Sequence, residues 1–243
     1  MKLLKCELIK LKNSKAFLLA FILPLVMAIV GFINIYNGVP IISLWDAVYN
    51  QTILLYSGIT FPLSIVIIIC VQWRVEYKKN NILNLLSSPI KPNKIFISKI
   101  ISTMCIAFIN IIILIILLLI AAFILIPGDS FRNYMVYSPM IAFLCSIPFI
   151  CLQHLLCIYF NNFFSSISMG IVMVFSGFIL SNFTIGILLP NSYISYASFI
   201  GISNINEGAY VSNPYSNLLP IIIPLLSYLL YYLSNKIILK KEF

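Results

Sequence analysis

The chain has 243 residues, of which 62% are hydrophobic and 9% charged, and a formal net charge of +9. A soluble domain carries roughly 25% charged residues, so most of this chain has to lie in lipid. Its basic residues gather at the ends of apolar runs, which excludes a nucleic-acid face and reads as a membrane-topology signal.

Residues 1 to 15 predict an interfacial helix. Leu4, Leu8 and Leu11 form its apolar stripe, and lysines stand at 2, 5, 10, 12 and 15. The segment is too charged for a cleavable signal, and no small-residue cleavage site follows. The first span is expected at 16–36, long enough at 1.5 Å per residue to cross the hydrocarbon, with Pro24 placed where a kink is expected. Asn37-Gly38-Val39-Pro40 is a turn. The second span is expected at 51–72, flanked by Trp45 and Trp73 at headgroup level. Pro62 lies mid-span among Ser57, Gly58, Thr60 and Ser64. Small residues around a kink suit close helix packing, and that reading is preferred to a bend that moves.

Between the second and third spans lies the most informative stretch, 74–99. It holds Arg74, Glu76, Lys78, Lys79, Lys91, Lys94 and Lys99, and six of these seven charges are positive. The loop therefore faces the cytoplasm. Its middle predicts a short amphipathic helix. Glu76 is placed in the first turn, Ile82, Leu85 and Leu86 share a face, and Pro89 stops the helix. Lys91-Pro92-Asn93-Lys94 is read as a turn, and Ile95 to Lys99 as the start of the next helix. An apolar face bounded by charges outside the membrane calls for a partner.

The third span is expected at 101–126, with Asn110 as its main polar interruption, and the fourth at 139–160. The fourth contains the sole histidine, His154. A neutral, hydrogen-bonded imidazole is favoured there over a proton relay, because no Asp or Glu occurs in any predicted span. The fifth span is expected at 167–189. It offers Gly177 and Ser181 as a small-xxx-small pair, and Asn182 and Thr184 as polar side chains. The outside segment 190–217 begins apolar and aromatic, as a re-entrant or interfacial piece would. Tyr193, Tyr196 and Phe199 are expected to dip into the outer headgroups. The sixth span is expected at 218–234. With six spans both termini are cytoplasmic, and fourteen of the fifteen basic residues fall inside.

The six cysteines avoid the predicted outside loops and read as free thiols, without the spacing or partners of a metal site. No glycine is followed by lysine, so there is no phosphate-binding loop, and no nucleophile elbow or carboxylate pair appears. The chain is therefore read as no enzyme, without a cofactor or metal of its own. A polar-poor bundle suits an amphipathic or lipid-bound substrate better than an ion.

The stretch from Glu76 through Asn80-Asn81-Ile82-Leu83-Asn84-Leu85-Leu86-Ser87-Ser88-Pro89-Ile90 to Lys94 and Ser98-Lys99 resembles the permease subunits of the ABC-2 exporter class. That class has an acidic residue, a short amphipathic helix, a Leu-Leu-x-x-Pro step and a basic run into the third span. The size, and the entry into the second span through Trp45-Asp46 and Leu55-Tyr56-Ser57, resemble the lantibiotic-immunity and bacitracin-resistance permeases. The resemblance implies an all-α membrane protein in one transmembrane domain. It would have six spans, an N-terminal interfacial helix and a cytoplasmic coupling helix, and would sit in a bacterial plasma membrane. It implies that Glu76, Asn80, Ile82, Leu85, Leu86 and Pro89 serve the contact with a separate ATPase, present in two copies and holding ATP and Mg. It also implies a second permease chain, identical or paralogous, a pathway including Pro62, Asn110, Asn182 and Thr184, and an outer cap at 190–217. The cargo would be an amphipathic peptide antibiotic carried from the membrane to the outside. The alternatives are export of another lipophilic cargo, or a non-transport membrane protein such as a sensor or a lipid-modifying enzyme.

Overall fold

In lipid a backbone has to satisfy its own N–H and C=O groups, and helices do this within one segment. The computed structural model describes residues 2–12, 14, 16–36, 44–77, 92–125, 133–198 and 219–240, and these form helices with no strand among them. In order they are α1 (Lys2–Lys12), α2 (Ala16–Tyr36), α3 (Leu44–Leu55), a π-helical turn (Tyr56–Thr60) and α4 (Phe61–Tyr77). Then follow α5 (Pro92–Leu125), α6 (Tyr134–Cys145), α7 (Ile147–Phe160), α8 (Phe163–Leu180), a 3₁₀ turn (Thr184–Leu188), α9 (Ser192–Ser198) and α10 (Leu219–Lys240).

Four stretches are long and apolar enough to cross a membrane: Val48–Arg74, Asn93–Ile120, Tyr134–Phe160 and Phe163–Leu180. They correspond to the second to fifth expected spans. Of the other two, α2 contributes a shorter apolar stretch, Ala20–Ile33, and α10 is not among the four.

Several boundaries differ from the sequence expectation. The helix of the third span begins at Pro92, three residues before the expected start at Ile95, so the expected turn through Lys94 is already helical. Proline is tolerated in a first helical turn because its missing N–H would be unpaired there anyway. The fourth span is broken at Ser146, where α6 ends, and Pro148 stands in the first turn of α7. The Ser146 hydroxyl donates to the Phe143 carbonyl at 2.7 Å. The second span is one run of helix from Leu44 to Tyr77, but it changes pitch before Pro62. In the π-helical turn the Phe61 N–H bonds the Tyr56 carbonyl five residues back, and the Thr60 hydroxyl donates to the same carbonyl at 3.2 Å. Pro62 cannot supply the next backbone donor, so a local change of pitch is the expected response.

The fifth span ends at Leu180, nine residues early. Hydropathy continues, but the Ser181 hydroxyl donates back to Phe178 O at 2.7 Å, and the chain turns into the 3₁₀ segment. Such side-chain bonds compete with helix continuation. The returning chain then packs against α8. The Asn191 side-chain amide donates to the carbonyls of Met173 and Val174, the latter at 3.3 Å. Gly177 makes this approach possible, since a Cβ there would stand 1.7 Å from Asn191 Nδ2.

Helix α9 is buried inside the protein. Its last carbonyls accept from the Tyr49 hydroxyl (3.1 Å to Ser198 O) and from the Ser138 hydroxyl (2.9 Å to Ser198 O). Tyr193 is 2% exposed and donates to Ile187 O at 2.7 Å, so it faces the bundle and not the headgroups as expected. A buried phenol needs a partner, and this carbonyl supplies one. The Tyr196 hydroxyl donates to Phe183 O at 3.0 Å. Phe199 lies outside the described residues. The α9 end of the molecule meets α3 near Tyr49. Glu76 stands 27 residues further along the same helical run, about 40 Å away at 1.5 Å per residue.

Candidate functional site

At the Glu76 end, α4 stops at Tyr77 and α5 begins at Pro92. These two helix ends are the roots of the 78–91 segment that the sequence singles out. Asn80, Ile82, Leu85, Leu86 and Pro89 lie outside the described residues. Glu76 is described, and its place differs from the expectation. It is in the last turn of α4, not the first turn of a new helix. It is 4% exposed, and the lysines it meets belong to this chain.

A carboxylate at a helix C-terminus opposes the helix dipole and needs compensation. Lys99 supplies it from α5, about 10 Å along that helix from Pro92, with Nζ 3.1 Å from Glu76 Oε1. Lys10 supplies more from α1, with Nζ 3.0 Å from the same oxygen. Glu7, one turn before Lys10 on α1, completes the arrangement. Its Oε1 is 3.0 Å from Lys10 and its Oε2 is 3.0 Å from Lys99. Each lysine thus bridges both carboxylates in a closed, charge-neutral quartet drawn from α1, α4 and α5. The side chain of Lys99 is 1% exposed and that of Lys10 is 40% exposed, so the quartet is dry on one side and wet on the other. Lys99 Nζ also lies over the Trp73 ring, 5.3 Å from its centroid.

Burial opposes the ionisation of Glu76, yet Lys99 and Lys10 outweigh it and hold the carboxyl below its ordinary 4.5. Burial likewise opposes the charge on Lys10, but Glu7 and Glu76 raise its pKa above the ordinary 10.5. The depressed carboxyl stabilises the fold above pH 4.5 and loses this contribution as pH falls through its folded pKa. The raised ammonium stabilises below pH 10.5 and loses its contribution as pH rises through its folded pKa. Attachment of α1 is therefore expected to be level between pH 4.5 and 10.5. A fluorescent label on Cys6, exposed on α1, checks this. A release midpoint near neutrality would contradict it.

Above the quartet lies a layer of neutral polar groups. The Trp73 indole N–H donates to His154 Nδ1 at 3.0 Å, and His154 Nε2 is 3.3 Å from the Thr103 hydroxyl. An accepting Nδ1 places the ring proton on Nε2, giving the neutral tautomer. The Thr103 hydroxyl lies 3.0 Å from both Gln72 Oε1 and the Lys99 carbonyl, and Gln72 Nε2 donates to Ser102 at 2.7 Å. The roots of the 78–91 segment are thus joined twice, by ion pairs at their ends and by hydrogen bonds one turn deeper. Apolar packing adds α1 to the unit, as Leu11 is 2% exposed against Ala20, Ile68 and Ile106.

The pathway residues inferred from sequence are not brought together as one lining. Pro62 is buried beside the π-helical turn. Asn110 is fully buried and accepts from the Tyr56 hydroxyl. Asn182 is exposed beyond the end of α8, and Thr184 opens the 3₁₀ turn. What sequence reasoning missed is Glu7 with its partners Lys10 and Lys99. Glu7 is one of six acidic residues in the chain and stands three positions before a lysine, a spacing that pairs side chains on one helix face.

No curated protein and no solved structure matches the chain. A family model described as ABC-2 family transporter protein matches residues 3–177, which takes in the whole quartet and the polar layer above it. That match covers well over half of the chain, and the chain belongs to the ABC-2 family of transporter proteins.

Proposed function

We propose that this chain is the permease subunit of an exporter in which a separate ATPase does the chemical work. The family is one of membrane transport permeases, not themselves catalytic, that work with an ABC ATPase partner. The observation that carries the finer reading is the quartet at the roots of the 78–91 segment. Two helix ends tied into one buried, neutral unit form a firm base for a segment on which a partner pulls. In this reading Ile82, Leu85 and Leu86 touch the ATPase, Asn80 and Pro89 bound the docking helix, and Glu76 anchors it from within.

The assembly has two ATPase subunits holding ATP and Mg, and two permease chains, identical or paralogous. Each chain crosses a bacterial plasma membrane six times, with α2 and α10 as the first and sixth spans and both termini cytoplasmic. The positive charge at the Glu76 end supports this orientation. The cargo is an amphipathic peptide of the lantibiotic kind, carried from the membrane to the outside. The scarcity of charge in the described helices supports an amphiphile over an ion.

The test is Leu85→Asp with Leu86→Asp in the complex purified from membranes. Expected is loss of the associated ATPase subunit and of its hydrolysis, with membrane insertion unchanged. Undiminished association and hydrolysis would contradict the docking role.

A further inference from the structure

The quartet does more than hold two helix ends together, because half of it comes from α1. Glu7 and Lys10 bond to both roots of the 78–91 segment, Glu76 on α4 and Lys99 on α5. Each root makes one ion pair to α1, Glu76 with Lys10 and Lys99 with Glu7, and the roots are paired to each other, so the two roots leave α1 together only by breaking both pairs. The carboxylates are 5% and 6% exposed and Lys99 is 1% exposed, so separation strands charge in a dry place. Breaking a buried pair on one side is far costlier than moving it whole. The following turn of α1 is seated as firmly, with Leu11 set among Ala20 of α2, Ile68 of α4 and Ile106 of α5.

We propose that Glu7 and Lys10 are positioning residues that make α1 a moving part of the coupling apparatus. A displacement of the 78–91 segment is carried through Glu76 and Lys99 into α1, and through Leu11 into α2. This rests on the reading of 78–91 as the ATPase-docking segment. It adds that the N-terminal helix is driven by that segment and is not a passive anchor on the membrane surface. Lys10, the one wet member of the quartet, offers water the first access when the unit is strained.

The experiment uses the full chain in complex with its co-purified ATPase, with a fluorescent maleimide on exposed Cys6. Cys105, which is half-buried, is replaced by Ala, while Cys70, Cys145, Cys151 and Cys157 are buried. The label's emission is recorded without nucleotide and after trapping with ATP and vanadate. Expected is a nucleotide-dependent shift in the parent chain, its loss in Glu7→Gln, and its retention in Lys10→Arg, which keeps the charge. Thermal unfolding and ATPase co-purification are measured in parallel, and Glu7→Gln is expected to keep the bound ATPase. A label that does not respond in the parent, or responds equally in Glu7→Gln, overturns the proposal while leaving the docking role standing. If no ATPase subunit accompanies the parent chain, the docking reading fails and the proposal falls with it.

Discussion

Lys99→Met is expected to destabilise the detergent-solubilised protein by about 3–5 kcal/mol, the usual cost of removing one partner from a buried ion pair. The side chain is 1% exposed and bonds both Glu7 and Glu76. Methionine fills much of the same volume, so the loss is chiefly electrostatic. Two carboxylates would then share Lys10 alone, and one of them would have to take up a proton or admit water. Lys10→Met is the internal control. Its side chain is 40% exposed, water can replace it, and an exposed pair is worth about 1 kcal/mol or less. Thermal unfolding of the two variants should therefore show a large loss for Lys99 and a small one for Lys10. Equal effects would mean that the quartet is not dry at Lys99.

Gly177→Val is the second large effect, at about 3 kcal/mol from overpacking together with lost hydrogen bonds. A Cβ at Gly177 would stand 1.7 Å from Asn191 Nδ2 and 2.2 Å from its Cγ. The Asn191 amide cannot remain on the Met173 and Val174 carbonyls beside it. That amide pins the returning chain to α8 just before α9 begins, so its expulsion loosens the buried end of the molecule near Tyr49 and Ser138. Neighbouring changes of this kind are not additive. Gly177→Ala in an Asn191→Ala background should therefore cost less than the two single variants together. Strict additivity would show that the two positions do not meet.

The helical character and the rough place of the central spans were legible from hydropathy alone, because a run such as 101–120 allows no other reading in lipid. The ends of the helices were less legible. Residues 181–189 remain apolar, so hydropathy carries the fifth span past Leu180. What ends it is local, with the Ser181 hydroxyl turned back on Phe178 and Asn191 returning to the Gly177 face. Glu76 was expected in the first turn of a new helix and stands instead in the last turn of α4. An acid ahead of an amphipathic stretch favours a helix start, and this local rule is overridden by lysines at positions 10 and 99. Lys99 itself reads as a topology charge at a span end, and the same residue proves to be buried. These pairings join segments 23 residues apart for Glu76 and Lys99, 66 for Lys10 and Glu76 and 92 for Glu7 and Lys99, and no periodicity within one segment reports them.

In the proposed function this permease works through a separate ATPase held at the Glu76 end. This is tested most directly by isolating the chain from native membranes in mild detergent and identifying what accompanies it. Expected is a soluble nucleotide-binding subunit in the complex, lost when Leu85 and Leu86 are replaced by aspartate. Recovery of the chain without any nucleotide-binding partner would contradict the proposed function and direct attention to lipid chemistry instead.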